Sequence, residues 1–189
     1  MRKVLLAVGL ALATVEPAIA DDPAKHGAAA DTKAMSAPQD DHTFAMHMAD
    51  HHRHGIAMAD HVIAKGSSAD VKAMARKIRS QQQKELAKLE AHKPADKSGH
   101  HAPMPKDPDM ERAMSELKAS SGAKADALFL QNMIVHHAQA LVMTQAAVHH
   151  LQDGELRALA VNSLGSQAKE IGDLQKLREG KRAAARRAR

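Results

Sequence analysis

His47, His51, His54, Met58 and His61 follow one another at intervals of 4, 3, 4 and 3 residues. On a helix turning about 100° per residue, that spacing draws one line of metal-binding side chains. Imidazoles one turn apart can share a metal ion, and such a line makes poor core and unusual surface. The chain holds 14 histidines and 11 methionines, of which only Met1 falls in the first 20 residues. That is more than packing needs. Further histidines and methionines lie at His26, Met35, His42, His92, His100, His101, Met104, His149 and His150.

The metal expected of this set is copper. Thioether sulfur is soft and favours Cu(I), while imidazole accepts both Cu(I) and Cu(II). Zinc suits the histidines but has little use for methionine. Cysteine is absent, which removes thiolate metal sites, disulfides and c-type haem attachment. A set of His and Met without Cys suits an oxidising compartment. No Glu-x-x-His occurs, so a di-iron bundle enzyme is excluded. The hydrolase patterns G-x-S-x-G and H-E-x-x-H are missing too. No single Met/His pair stands out as a haem axial pair. No catalysis is expected.

The elements that carry these residues repeat at an offset of 85 without a gap. Asp41, Phe44, Met48, His51, His52 and Met58 recur as Asp126, Phe129, Met133, His136, His137 and Met143. Ala73, Ala75, Gln82, Lys84, Glu85 and Leu89 recur as Ala158, Ala160, Gln167, Lys169, Glu170 and Leu174. These 12 identities mark one duplication. Each copy reads as two helices. The first spans about 41–65, opened by Asp40 or Asp41 and stopped by Gly66; the second spans 69–92, with Ser67 or Ser68 as its cap. The second copy opens at Asp126 and breaks at Asp153-Gly154. Near-absence of aromatics, with Phe44 and Phe129 alone, and abundant Ala, Leu, Lys, Gln and Glu also favour helix. Two hairpins that cannot bury their faces alone pair into an all-α four-helix bundle.

On the wheel, His52 and His137 sit in the middle of their apolar stripes, with His51 beside Met58 and His136 beside Met143 on the edges. Gln82 and Glu85, and again Gln167 and Glu170, lie on an otherwise apolar face. An unpaired buried carboxylate is costly, so these groups need partners. Glu85 and Glu170 are expected to orient a ligating imidazole or to bind metal themselves. A bundle without metal would use the same His–Glu pairs only to fix helix register.

The ends have their own chemistry. Residues 1–20 read as a cleaved signal peptide: Arg2 and Lys3, an apolar run over 4–15, and Ala18-Ile19-Ala20 before Asp21. Export to the periplasm or beyond follows, with no integral membrane segment after cleavage. Residues 21–40 read as disordered. Residues 93–108 form a His/Pro-rich linker, and 109–177 hold a short extra helix started by Pro108 and the second hairpin. The formal charge of +5 resides in the basic tail 178–189, read as a solvated, disordered end. The body before it is near neutral, and no nucleic-acid partner is expected.

Phe44-x6-His51-His52-x5-Met58 followed by Gln82-x2-Glu85, and above all the run from Met133 to Met143, resemble the domain of unknown function 305 family. The resemblance spans about 41–92 and 109–177. It implies a ferritin-like helical bundle. Through exported members similar to periplasmic copper-binding proteins of copper resistance, it also implies ligation by Met48, His51, His52 and Met58, and by Met133, His136, His137 and Met143. The first copy departs from the family pattern at Ala49-Asp50 and at Gly55. The expected function is copper buffering, sequestration or delivery, the last involving a copper-transport partner protein. A metal-free structural or interaction bundle of the cell envelope is the alternative.

Overall fold

Each helix starts where the sequence supplies a cap. In the computed structural model, which describes residues 40–92 and 107–187, α1 (Asp41–Lys65) opens with the Asp40 carboxylate accepting from the Thr43 N–H at 2.7 Å. Gly66 ends α1, donating its N–H to the Val62 carbonyl. α2 (Ala69–Ala91) is capped by Ser68, and α3 (Pro108–Lys118) by Asp107 with Pro at its first turn. α4 (Gly122–Ala147) and α5 (Gly154–Arg187) form the second hairpin. The predicted signal peptide, the segment before Asp40, and His26, Met35, His100, His101 and Met104 lie outside the described residues.

Two expectations are corrected. α4 begins at Gly122, whose φ of +58° suits glycine, and not at Asp126. Residues 178–187, expected to be disordered, continue α5 as helix to Arg187, although 179–187 are exposed as a solvated end should be. Arg and Ala are strong helix formers, and the single Gly180 among them does not stop the helix.

Asp126 caps the other hairpin instead. Its carboxylate accepts from the N–H groups of Ser67 at 3.2 Å and Ser68 at 2.8 Å, and from the Ser67 hydroxyl at 2.8 Å. Its repeat partner Asp41 accepts from the N–H groups of Gln152 at 2.8 Å and Asp153 at 2.9 Å. Residues 67 and 68 plus the offset of 85 are 152 and 153, so each copy closes the turn of the other. The bundle therefore has an internal pseudo-twofold axis. Gly66 is required where this happens, since a Cβ there would lie 2.4 Å from Asp126 Oδ1. Asp126→Ala, which strips three bonds from a buried carboxylate, is expected to cost about 2 kcal/mol. Asp41→Ala, at a more open turn, should cost less. Urea unfolding of both variants with unchanged m values checks the order.

α1 packs on α2 and α4 on α5, and contact between α1 and α4 joins the hairpins, with α3 laid over α4 and α1. The core is layered along the bundle. One apolar cluster contains Met58, Val62, Ile78, Phe129, Met133 and Leu174. The other contains Phe44, Met48, Leu89, Met143, Leu151 and Leu156. In sequence, every long helix passes from one cluster to the other through a buried polar stretch: His51-His52, Gln82 to Glu85, His136-His137, and Ser163 to Glu170. No helix among the described residues is long and apolar enough to cross a membrane.

Candidate metal centre

The polar layer is built from equivalent pairs. His52 Nε2–H donates to Glu85 Oε2 at 2.7 Å, and His137 Nε2–H donates to Glu170 Oε2 at 2.9 Å. Each pair lies 33 residues apart in sequence, within one hairpin. Glu85 also accepts from Gln81 Nε2 at 2.7 Å and from the Ser163 hydroxyl at 3.0 Å. Burial alone would push the Glu85 carboxyl up, but the bonds from His52, Gln81 and Ser163 outweigh it and hold the group below its ordinary value. Glu170 has no hydroxyl in that place; Lys77 Nζ stands 3.5 Å away. The Ser163 hydroxyl, which also accepts from Gln167 Nε2 at 2.7 Å within α5, ties the two hairpins together through its bond to Glu85.

Between the His–Glu pairs lie the other two histidines. The rings of His51 and His136 stack with centroids 3.7 Å apart and planes at 28°. The centroids of His51 and His52 are 6.4 Å apart, and those of His136 and His137 are 5.9 Å apart. Four imidazoles thus make a row bounded by a carboxylate at each end. His136 Nε2–H donates to the His51 carbonyl at 2.9 Å. Burial first, then the neighbouring imidazoles, holds both His51 and His136 well below the ordinary histidine value. They are neutral at neutral pH.

With Nε2–H of His52, His136 and His137 given to an oxygen, their Nδ1 atoms carry bare lone pairs. Nδ1 of all four histidines is buried without a hydrogen-bond partner. This is how metal-binding imidazoles are held: one nitrogen is fixed by a carboxylate or carbonyl, and the other is left to ligate. Among the described residues no three His, Asp or Glu side chains converge as a ready-made cage. The arrangement offers nitrogen donors singly or in pairs, which suits a soft ion of low coordination number better than a hard one.

The expected ligands divide accordingly. His51, His52, His136, His137, Gln82, Glu85, Gln167 and Glu170 share the layer. The methionines flank it and are exchanged between copies: Met48 lies in the same cluster as Met143, and Met58 in the same cluster as Met133. The histidine line on α1 is divided between core and surface. It runs along the rim of the buried face, so His51 and Met58 turn inward while His54 is exposed. His61 bonds the Ser120 carbonyl at 3.0 Å, and His47 is buried. Sequence reasoning missed Ser163, which has no counterpart in the first copy, and the part played by Gly55. A Cβ at Gly55 would lie 2.3 Å from Gln82 Oε1 and 2.7 Å from His136 Cε1. This glycine, where the first copy departs from the family pattern, therefore admits His136.

A family model described as Domain of unknown function (DUF305) matches residues 18–93 and 41–178. A DUF305 fragment from Deinococcus radiodurans superimposes with a TM-score of 0.62 at 22% identity, covering 77% of this chain and 98% of its own. CopM in the Cu(II)-bound form gives 0.63 at 22% identity, covering 75% and 97%. CopM in its Ag-bound form gives 0.59 at 24%, covering 75% and 96%. These likenesses establish the helical bundle. Among curated protein sequences none matches this chain significantly.

Proposed function

The chain belongs to the DUF305 family, and from that premise we propose that it is an exported copper-binding protein, serving copper buffering, sequestration or delivery in metal resistance or homeostasis. The observation that carries this reading is the set of four buried Nδ1 atoms without partners, three of them on imidazoles whose Nε2 is pinned to an oxygen. A wholly structural network would spend those lone pairs on hydrogen bonds. CopM, of the same fold, has been solved with Cu(II) and with silver. Silver(I) is a soft ion like Cu(I), and soft ions are those that thioether and imidazole donors suit. Copper is the cargo and the protein its carrier, with no catalysis. Delivery requires a partner that accepts the ion. Export, to the periplasm or beyond, is supported by the signal pattern in residues 1–20.

The test is a titration of residues 21–189 with Cu(I) under a competing chelator, with Zn(II) alongside. Tight Cu(I) binding is the expected result. Zinc binding alone would transfer the site to histidines without methionine, and binding of neither metal would overturn the proposal. The rival reading, a metal-free envelope bundle, is favoured by the two His–Glu pairs being complete hydrogen bonds. It requires that no metal bind and that His52→Ala unfold the protein.

A further inference from the structure

We infer that the two repeats share a single copper ion, held at the pseudo-twofold axis by Nδ1 of His51 from one copy and Nδ1 of His136 from the other. The inference rests on the copper reading above and goes beyond it, because a duplicated sequence with four matching ligands per copy leads one to expect an ion in each.

The geometry distinguishes inner from outer histidines. His52 and His137 each bond the glutamate of their own repeat. His51 and His136 have no carboxylate; they face each other, ring on ring, at 3.7 Å. Positions 51 and 136 differ by the repeat offset, so the pair straddles the axis, where two equivalent donors serve one ion. Both residues are buried, at 4% and 0% exposure. Neither ring nitrogen of His51 has a hydrogen-bond partner, and Nδ1 of His136 has none.

A third group meets them there. The Gln82 side chain is 2% exposed, and neither its oxygen nor its nitrogen has a partner. Gly55 brings it to His136: the space a Cβ would fill is bounded by Gln82 Oε1 and His136 Cε1. Ala140, the counterpart of Gly55, carries that methyl, so the room exists on one side only. Unpartnered polar atoms this deep are rare in native proteins and call for an occupant. Here they are neutral nitrogen and oxygen donors, flanked by two thioether pairs and bounded at both ends by the Glu85 and Glu170 carboxylates. A monovalent soft cation matches that set in charge and in softness. Binding requires the two rings to give up face-to-face contact and turn their Nδ1 edges to one ion.

The experiment is a Cu(I) titration under a competing chelator on residues 21–189, comparing wild type with His51→Phe, His136→Phe, the double variant and the exposed control His54→Phe. Phenylalanine retains a ring in the stack and removes the donors. One tight equivalent is expected in wild type and in His54→Phe. Either inner single variant should weaken it at least ~100-fold, and the double variant should be no worse than a single. Two equivalents in wild type, one lost per variant, would overturn the shared site in favour of one ion per repeat. Wild-type binding left intact by both variants would overturn it while leaving copper binding standing. No binding by wild type would remove the copper reading itself. Circular dichroism establishes folding. If the variants do not fold, ¹⁵N-histidine spectra of wild type decide: Cu(I) should move Nδ1 of His51 and His136 and saturate at one equivalent, and unmoved signals overturn the site.

Discussion

Glu85→Ala is expected to cost the metal-free protein about 2–5 kcal/mol of unfolding free energy, because it leaves two buried donors without their acceptor at about 1–3 kcal/mol each. Glu85 is 4% exposed and serves three donors: His52, Gln81 and Ser163. Removing it leaves the buried His52 N–H and Ser163 hydroxyl without their acceptor. Glu170→Ala should cost less, because Glu170 bonds His137 and otherwise has only the half-exposed Lys77 ammonium beside it. The double change His52→Leu with Glu85→Leu removes both partners and fills the space. It should recover much of the loss, since apolar replacement of a whole buried pair is often close to neutral. Urea unfolding at pH 7.5 measures all of these. A loss under about 1 kcal/mol for Glu85→Ala would mean the layer is hydrated and contributes little to stability.

Sequence alone reaches the hairpins and stops at the join between them. Asp40 and Gly66 bound α1 because capping chemistry is local, and Ser68 likewise opens α2. The pairing of His52 with Glu85 was also legible. A carboxylate repeated on an apolar face needs a partner, and the facing helix of a hairpin offers only the histidine. What lies between hairpins was not legible. Helical periodicity says which side of α1 is buried, but not that His51 meets His136 or that Met48 shares a cluster with Met143. Asp126 shows the same limit: its residue type and position suggested a cap for its own helix, while the fold uses it on a turn 58 residues away. The repeat contained the missing information. Two copies related by a twofold axis place equivalent residues near the axis face to face, and neither ring nitrogen of His51 has a hydrogen-bond partner elsewhere. The histidine line on α1 is divided between core and surface because equal spacing does not distinguish the middle of a buried face from its rim.

The stability of the metal-free protein should fall as pH drops below the ordinary histidine value of 6.5. In the folded state His51 and His136 titrate well below that value, because burial disfavours the charged ring. Once unfolded they titrate normally. Between the two values the unfolded chain holds more protons, so stability rises with pH there and is lost as pH falls. Each group contributes up to about 1.4 kcal/mol per pH unit in that window, and the pair up to about 2.7. The groups facing the pair act in both directions. The neighbouring His52 and His137 imidazoles lower both values further, while the Glu85 and Glu170 carboxylates beyond them are each engaged by their own histidine. Below 4.5 a second loss begins, since the folded-state Glu85 carboxyl titrates under its ordinary value and its contribution disappears as it protonates. The check is the urea-unfolding free energy of the metal-free protein from pH 7.5 to 5. A steep decline in wild type and a shallow one in the His51→Phe/His136→Phe double variant is the expected pattern. A flat wild-type profile would mean that the inner histidines can take up a proton within the fold, and therefore that the row is open to water.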